Sequence, residues 1–346
     1  FSHEYIFRLK NNILDNQYLN TNKLNFIKRF GPNKQFALIY SPEILSIEKK
    51  DKFIRDLDLK YISDNDVIFL PPNSSSNGIA SNWWHQEMQS EKAWEMTKGS
   101  PEIIVAVIDT GVDYRHQDLI GNILINTKEI PNNNIDDDNN GHIDDYYGHN
   151  FYANHGDPND DNGHGTHCAG IVAANGKVKG AAPNVKILPI KFLDNYGRGD
   201  IAKSIMAINY AIKRGAKILT NSYGTPNPNE ALKEMIQYAN EKGGLFIAAA
   251  GNAKNDNDIR GEYPANFNLE NIISVAASGP NQQVASFSNF GSLSVDIFAP
   301  GVSINSTDEN NTYKIRSGTS MATPFIAGAA ALLWSLDPTL SLSDVK

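Results

Sequence analysis

Ser317-Gly318-Thr319-Ser320-Met321-Ala322-Thr323-Pro324, followed at once by Phe325-Ile326-Ala327-Gly328-Ala329-Ala330-Ala331-Leu332-Leu333-Trp334, is the stretch on which the reading of this chain turns. Small residues around a serine lead into alanines and leucines, the pattern of a tight loop feeding a buried helix. Ser320 then stands at the helix N-terminus, where unpaired N–H groups and the positive end of the dipole favour a developing oxyanion. Pro324 fits a first helical turn, where its missing N–H is no loss. An N-capping serine on a core helix has the same local pattern, so the stretch alone leaves both readings open. The apolar run is shorter than the roughly 20 residues a bilayer requires, and no membrane span is expected.

The composition is that of an ordinary folded chain: 346 residues, 40% hydrophobic and 20% charged, enough for one large core and a small accessory domain. A net charge of −8 argues against a nucleic-acid partner. Cys168 is the single cysteine, which excludes an internal disulfide framework. The chain opens at Phe1 with no basic-then-apolar leader, and residues 341–346 have the pattern of a helix start. A secretion signal removed or never included, and a continuation past Lys346, are the corresponding expectations.

Residues 1–70 form a unit of their own. Residues 4–9 and 35–40 read as strands, 46–57 as an amphipathic helix and 61–70 as a final strand, a small α+β pattern. This unit carries 11 Lys+Arg against 9 Asp+Glu, whereas the remainder is acid-rich, so opposite signs favour docking. Pro71-Pro72-Asn73-Ser74-Ser75-Ser76-Asn77-Gly78 then breaks every periodicity and marks 71–85 as an exposed linker open to cutting. From residue 86 onward short apolar runs (103–108, 186–192, 217–219, 245–250, 272–276) alternate with helical periods at 164–174, 201–214 and 229–242. Such alternation predicts an α/β domain with a mainly parallel sheet between helices, and chemistry at the strands' carboxyl ends.

Asp109 ends the run at 103–108 and is followed by Thr110-Gly111, a position that suits a turn residue as well as a catalytic carboxylate. Asp161-Asn162-Gly163-His164-Gly165-Thr166-His167 offers a base at a helix start, or a metal pair. The i,i+3 spacing and the absence of the companion glutamate make zinc the weaker of the two. Asp109, His164 and Ser320 occur in the order Asp, His, Ser. With Val107-Ile108-Asp109-Thr110-Gly111, His164-Gly165-Thr166-His167 and Gly318-Thr319-Ser320-Met321-Ala322-Thr323-Pro324, the chain closely resembles the subtilisin-like serine proteases, or subtilases, over roughly residues 80–346.

The resemblance implies a three-layer subtilisin-like sandwich and a secreted, monomeric serine endopeptidase acting on protein or peptide substrates. In it Ser320 is the nucleophile, His164 the base, and Asp109 the group that orients the imidazole. Ala248-Ala249-Ala250-Gly251-Asn252 closes an apolar run with a side-chain amide, and the resemblance gives Asn252 the oxyanion role beside the Ser320 N–H. It also marks Gly197-Arg198-Gly199, Ser222-Tyr223-Gly224, Ala250 and Gly251 as substrate-binding, with Arg198 and Tyr223 tuning acidic or aromatic preferences. Residues 1–70 take the place of a self-inhibiting propeptide, cut in the linker by the enzyme itself. Two other classes stay open: a catalytically silent binding protein of the same fold, and an α/β-hydrolase esterase, whose Gly-x-Ser-x-Gly elbow and residue order are both missing.

Residues 134–145 place Asp136, Asp138 and Asn140 before Gly141 and Ile143, the first half of an EF-hand loop in which alternating oxygens face inward. Tyr147 stands where the closing glutamate belongs, so Asp145 or Asp144, with the carbonyl of His142, would complete a calcium shell. Carboxylates packed this closely repel without a cation. The resemblance implies a second calcium site at Asp118, although the facing loop at 174–180 departs from the family pattern in being short and carrying lysines. Cys168, one helical turn past His164, is by resemblance a free, partly buried thiol beside the base.

Overall fold

The computed structural model describes residues 3–72 and 82–346; the middle of the expected linker lies outside them. The N-terminal unit runs β1 (Glu4–Leu9), α1 (Asn16–Thr21), β2 (Asn25–Phe30), β3 (Phe36–Tyr40), α2 (Ile47–Asp56) and β4 (Leu59–Asp64). Its antiparallel sheet has the order β2-β3-β1-β4, the split β-α-β arrangement of ferredoxin-like units. The α1 and β2 elements were not expected from sequence. Helix α1 is only six residues long and depends on Asp15 capping Tyr18 N, and β2 carries Lys28 and Arg29 among its apolar residues with no clean alternation.

Strand alternation divides the labour of this sheet. Tyr5, Phe7 and Leu9 join Leu19 of α1 and Phe53 of α2 in the unit's own core. Ile6 faces the other way and, with Phe30, Phe36 and Leu38, belongs to the core layer of the larger domain. The single strand expected at 61–70 is two strands. At Asn65 and Asp66 the chain leaves its own sheet, and β5 (Val67–Phe69) pairs with the larger domain instead.

That domain contributes α3 (Trp83–Glu87), α4 (Ser90–Met96), β6 (Ile104–Asp109), β7 (His149–Asn150), α5 (His164–Ala173), β8 (Lys186–Lys191), β9 (Arg198–Asp200), α6 (Ile201–Lys213) and β10 (Ile218–Asn221). There follow α7 (Glu230–Glu241), β11 (Leu245–Ala249), β12 (Ile272–Ser278), β13 (Ile297–Pro300), the hairpin β14 (Ile304–Asp308) and β15 (Thr312–Arg316), α8 (Thr319–Leu336) and α9 (Leu342–Val345). A seven-stranded parallel sheet has the order β13-β12-β11-β10-β6-β8-β7. The order reverses between β6 and β10, the switch point at which α/β sheets open a crevice.

Val105 and Val107 of β6 face the layer of α5 and α8, whereas Ala106 and Ile108 face α6 and α7. Helix α8 is apolar and 18 residues long, yet it is mostly buried here, packed against α5 and strands β10 to β13. Its apolarity is therefore that of a core helix, as expected.

The two units meet at Glu234 of α7. Arg8 approaches it at 2.7 Å, Tyr61 Oη donates to it at 2.7 Å, and Lys60 lies 3.5 Å away. Hydrogen bonding to Arg8 and Tyr61 and the charges of Arg8 and Lys60 overcome the penalty of burial and hold the Glu234 carboxyl below its usual range. Asn229 also donates to Asp64 O, and Ala202 N to Asn65 Oδ1. Replacing Glu234 by Ala would leave Arg8 without its partner, a loss of about 2–5 kcal/mol for a desolvated pair. The expected result is faster amide exchange throughout residues 4–64, with residues 104–109 unchanged.

Candidate active site

The candidate residues converge at the carboxyl edge of the parallel sheet. Asp109 is the last residue of β6, and His164 opens α5 after Gly163, whose φ of 89° is a left-handed turn that favours glycine. His164 Nδ1 lies 2.8 Å from Asp109 Oδ1, and both side chains are buried. Thr110 N also donates to Asp109 Oδ1, at 2.7 Å. Burial pushes the imidazolium of His164 down, but the adjacent Asp109 carboxylate outweighs it and the net direction is upward. Nε2, on the far side of the ring, is buried with no hydrogen-bond partner among the described residues.

Ser320 is the second residue of α8. Its Oγ donates to Ser222 O at 3.3 Å, and its carbonyl accepts from Ser222 Oγ at 3.1 Å. Pro324 corrects the sequence expectation. It lies inside the helix rather than in its first turn, so its missing N–H leaves the carbonyl of Ser320, four residues earlier, without a helical partner. Ser222 Oγ and the Cys168 thiol, at 3.5 Å, take that place. Cys168 is fully rather than partly buried and lies 4.0 Å from His164 Nδ1. Burial pushes its thiol up, which keeps it protonated and unsuited to act as the nucleophile.

Asn252 is held by a residue the sequence reading overlooked. Thr319 N and Oγ1 both donate to its Oδ1, at 2.9 and 2.8 Å, so the amide NH2 is turned toward the cleft. There it donates to Pro72 O at 3.1 Å. The residues before that carbonyl run as an extended strand. Val67–Phe69 pairs with Arg198–Asp200 on one side, and Phe69 exchanges both backbone hydrogen bonds with Gly224 on the other. Leu70 N donates to Gly197 O, where φ is 74° and a Cβ would collide with the Leu70 side chain at 2.7 Å. The chain thus adds a strand of its own between two loop segments.

Other substrate residues behave differently from expectation. Arg198 is tied to Asp194 through Nε at 3.1 Å and Nη2 at 3.0 Å and lies over the Tyr196 ring, so it is not a free charge for acidic side chains. Tyr223 is fully buried, hydrogen-bonded to Ser204 and Asn221 and packed edge-on against Phe192, which makes it a support rather than a contact surface. The backbone groups of Ala250 and Gly251 are engaged internally with Val275, Asn257, Asn289 and Thr319. They brace Asn252.

In the acidic loop, oxygens of Glu129, Asp138 and Asp145 lie within 4.8 Å of one another. Glu129 was not anticipated, because it precedes the acidic run and meets it only through the fold. Its Oε2 is buried without a partner; burial, with Asp145 and Asp138 adding to it, pushes the carboxyl up. Three hard oxygen donors, one of them orphaned, fit a calcium ion. Asp145 is also bound by Asn126, Asn140, Tyr210 and Arg214. Of the other expected ligands, Asn140 reaches Asp145 through Nδ2, and Asp136 and Asp138 both accept from the Asn140 N–H. Asp136 accepts from Asn140 N and Gly141 N, Asp144 from Asn133 N and Asn134 N, and the His142 ring packs on His149, Phe151 and Tyr210. Asp118 accepts from Val178 N at 2.9 Å, with Gly176 pressed against its carboxylate, and joins no acidic group among the described residues.

Fold, edge-of-sheet carboxylate, buried imidazole and a serine in the first turn of a helix together define a class: the chain belongs to the subtilase family of serine proteases, whose profile matches residues 100–346. A thermophilic serine proteinase of Bacillus sp. (strain AK1) is 40% identical over 72% of this chain, and thermitase of Thermoactinomyces vulgaris 39% over the same share. Subtilisin-like protease 2 of Plasmodium falciparum is 35% identical over 92% of the chain. The chain covers 56%, 81% and 22% of these relatives' lengths. Among solved structures, a cold adapted subtilisin-like serine proteinase aligns at a TM-score of 0.58 and 30% identity, over 71% of this chain and 81% of its own. A mutant epidermin leader peptide processing serine protease of Staphylococcus aureus aligns at 0.75 over 96% of this chain and 89% of its own; at 24% identity it shows a shared fold.

The charge on Asp109 fixes the direction of the His164 shift. Asp109→Asn removes the largest influence opposing burial and leaves only that of Cys168, so the imidazole pKa is expected to fall. An NMR titration of His164 in wild type and variant checks this, and an unchanged midpoint would contradict it.

Proposed function

We propose that this chain is the precursor of a secreted, monomeric serine endopeptidase, with residues 1–70 as its inhibitory propeptide, 71–85 as the linker cut in maturation and 86–346 as the catalytic domain. The observation that carries the reading is the Pro72 carbonyl, delivered on an extended strand to the Asn252 amide. A substrate main chain would lie along the same path, held by Gly197, Gly199 and Gly224 through backbone hydrogen bonds that read little of its sequence.

Ser320 Oγ turns from Ser222 O toward His164 Nε2, gives up its proton there and bonds to the peptide carbonyl carbon. Asn252 Nδ2 and the Ser320 N–H stabilise the oxyanion. His164 then returns the proton to the departing amine, leaving an acyl-enzyme, and a water molecule activated by the same imidazole releases the acid and restores the hydroxyl. Asp109 stays ionised throughout, holding Nδ1–H and favouring the imidazolium formed in each step. The upward pull on His164 means that activity rises with pH as the imidazole loses its proton. Calcium, when bound at Glu129, Asp138 and Asp145, would neutralise the crowded carboxylates and hold the 129–145 loop against α6.

Ser320→Ala is expected to lower kcat by a factor of about 10⁶, and Asn252→Ala by about 10²–10³, in peptide cleavage assays. Ser320→Ala should also leave residues 65–85 uncut in a precursor that wild type processes. Equal cutting by both proteins would refute the assignment. Chelation is expected to lower Tm, with calcium at 100 times its Kd restoring about 2.7 kcal/mol in wild type but not in Glu129→Gln. Identical melting curves in chelator and calcium would exclude the metal site.

A further inference from the structure

One carboxylate beside the cleft has no counterpart in the mechanism above. Glu262 is half-buried, and its side chain lies between the two backbone stretches that border Asn252. A Cβ on Gly224 would stand 2.3 Å from Glu262 Oε1, and one on Gly251 would stand 3.3 Å from its Cγ. Thr225 and Tyr263, the next residues along each segment, exchange backbone hydrogen bonds of 2.8 and 2.9 Å, which fix Glu262 against Gly224. Asn266 Oδ1 accepts from the Glu262 N–H at 3.3 Å. No cation among the described residues forms an ion pair with the carboxylate. Burial pushes it up, and the charge of Arg260 opposes this only in part.

Glycines at 224 and 251 are what make room for this side chain. A half-buried carboxylate between those stretches, with no ion-pair partner among the described residues, gains from an incoming group that supplies the counter-charge. We propose that Glu262 is a specificity-determining residue that selects an arginine or lysine side chain on the substrate residue whose carbonyl Asn252 polarises. The proposal rests on the endopeptidase reading above and names its substrate class: peptide segments with a basic residue immediately before the cut.

The chain's own segment fits this assignment as an inhibitor. It presents Pro72 to Asn252, and no lysine or arginine occurs between Lys60 and Lys92. Residues 67–72 therefore occupy the cleft by main-chain pairing without offering the cation, and a cut after them relies on tethering, which raises effective concentration, rather than on side-chain recognition.

The test uses the processed enzyme and quenched peptides identical except for Arg, Lys, Leu or Glu at that position. Wild-type kcat/KM for Arg or Lys is expected to exceed that for Leu by about tenfold or more, and Glu262→Gln to bring the ratio toward one. Glu262→Lys is expected to rank Glu above Arg. Equal or reversed wild-type preference, or a ratio that Glu262→Gln leaves unchanged, overturns the proposal while Ser320-dependent cleavage keeps the endopeptidase reading intact. No cleavage of any peptide, with no labelling of Ser320 by a fluorophosphonate, overturns both. If a variant does not fold, the wild-type ratio and competition by benzamidine, a planar cation, decide: absence of either preference or competition refutes it.

Discussion

A carboxylate, an imidazole and a hydroxyl are buried here at the rim of an apolar sheet, and the Asp109–His164 pair and the bond from Ser320 to the backbone of Ser222 offset much of the cost of that burial. The parallel sheet brings Asp109 to its carboxyl edge, α5 begins where His164 can reach it, and α8 begins beside the end of β10. Each of these groups is fixed by an element terminus rather than by a mobile loop. Thr319 fixes the Asn252 amide, and Ser222 and Cys168 take up the carbonyl of Ser320.

The same edge receives the N-terminal unit. Its sheet packs its outer face onto α6 and α7 while its exit strand enters the cleft, so docking of the body and threading of the tail reinforce one another. Glu234 joins the two by accepting Arg8 and Tyr61. Because strand pairing uses backbone groups, the segment 67–70 is held irrespective of most of its side chains.

Much of this was legible in the sequence. Strands β6, β8, β10, β11 and β12 and helices α5 to α8 follow apolar runs and helical periods, whereas α3, α4, β7, β9, β13 and the β14–β15 hairpin did not stand out, and the segments around Asp109, His164 and Ser320 are short, local and distinctive. What escaped was non-local or weakly patterned. Residues 25–30 mix lysine and arginine with apolar residues, and 61–70 is continuous in pattern but changes partner at Asn65. Glu129 completes the acidic group from outside the loop that announced it, and Asp118, which looked like a ligand, accepts from Val178 N and joins no acidic group among the described residues. Arg198 and Tyr223 looked like specificity residues because their neighbours are glycines, but sequence spacing carries no information on Asp194 or Ser204 as their partners.

Ile6, Phe30, Phe36 and Leu38 share one continuous apolar layer with the helices of the larger domain. Severing the polypeptide near residue 72 would therefore not separate the halves: they would persist as a two-chain complex with a seam resembling a protein interior, its lifetime governed by how slowly that seam opens to water. On the proposed precursor reading, onset of activity would then keep time with destruction of the smaller partner rather than with the nick itself, giving the molecule a built-in delay.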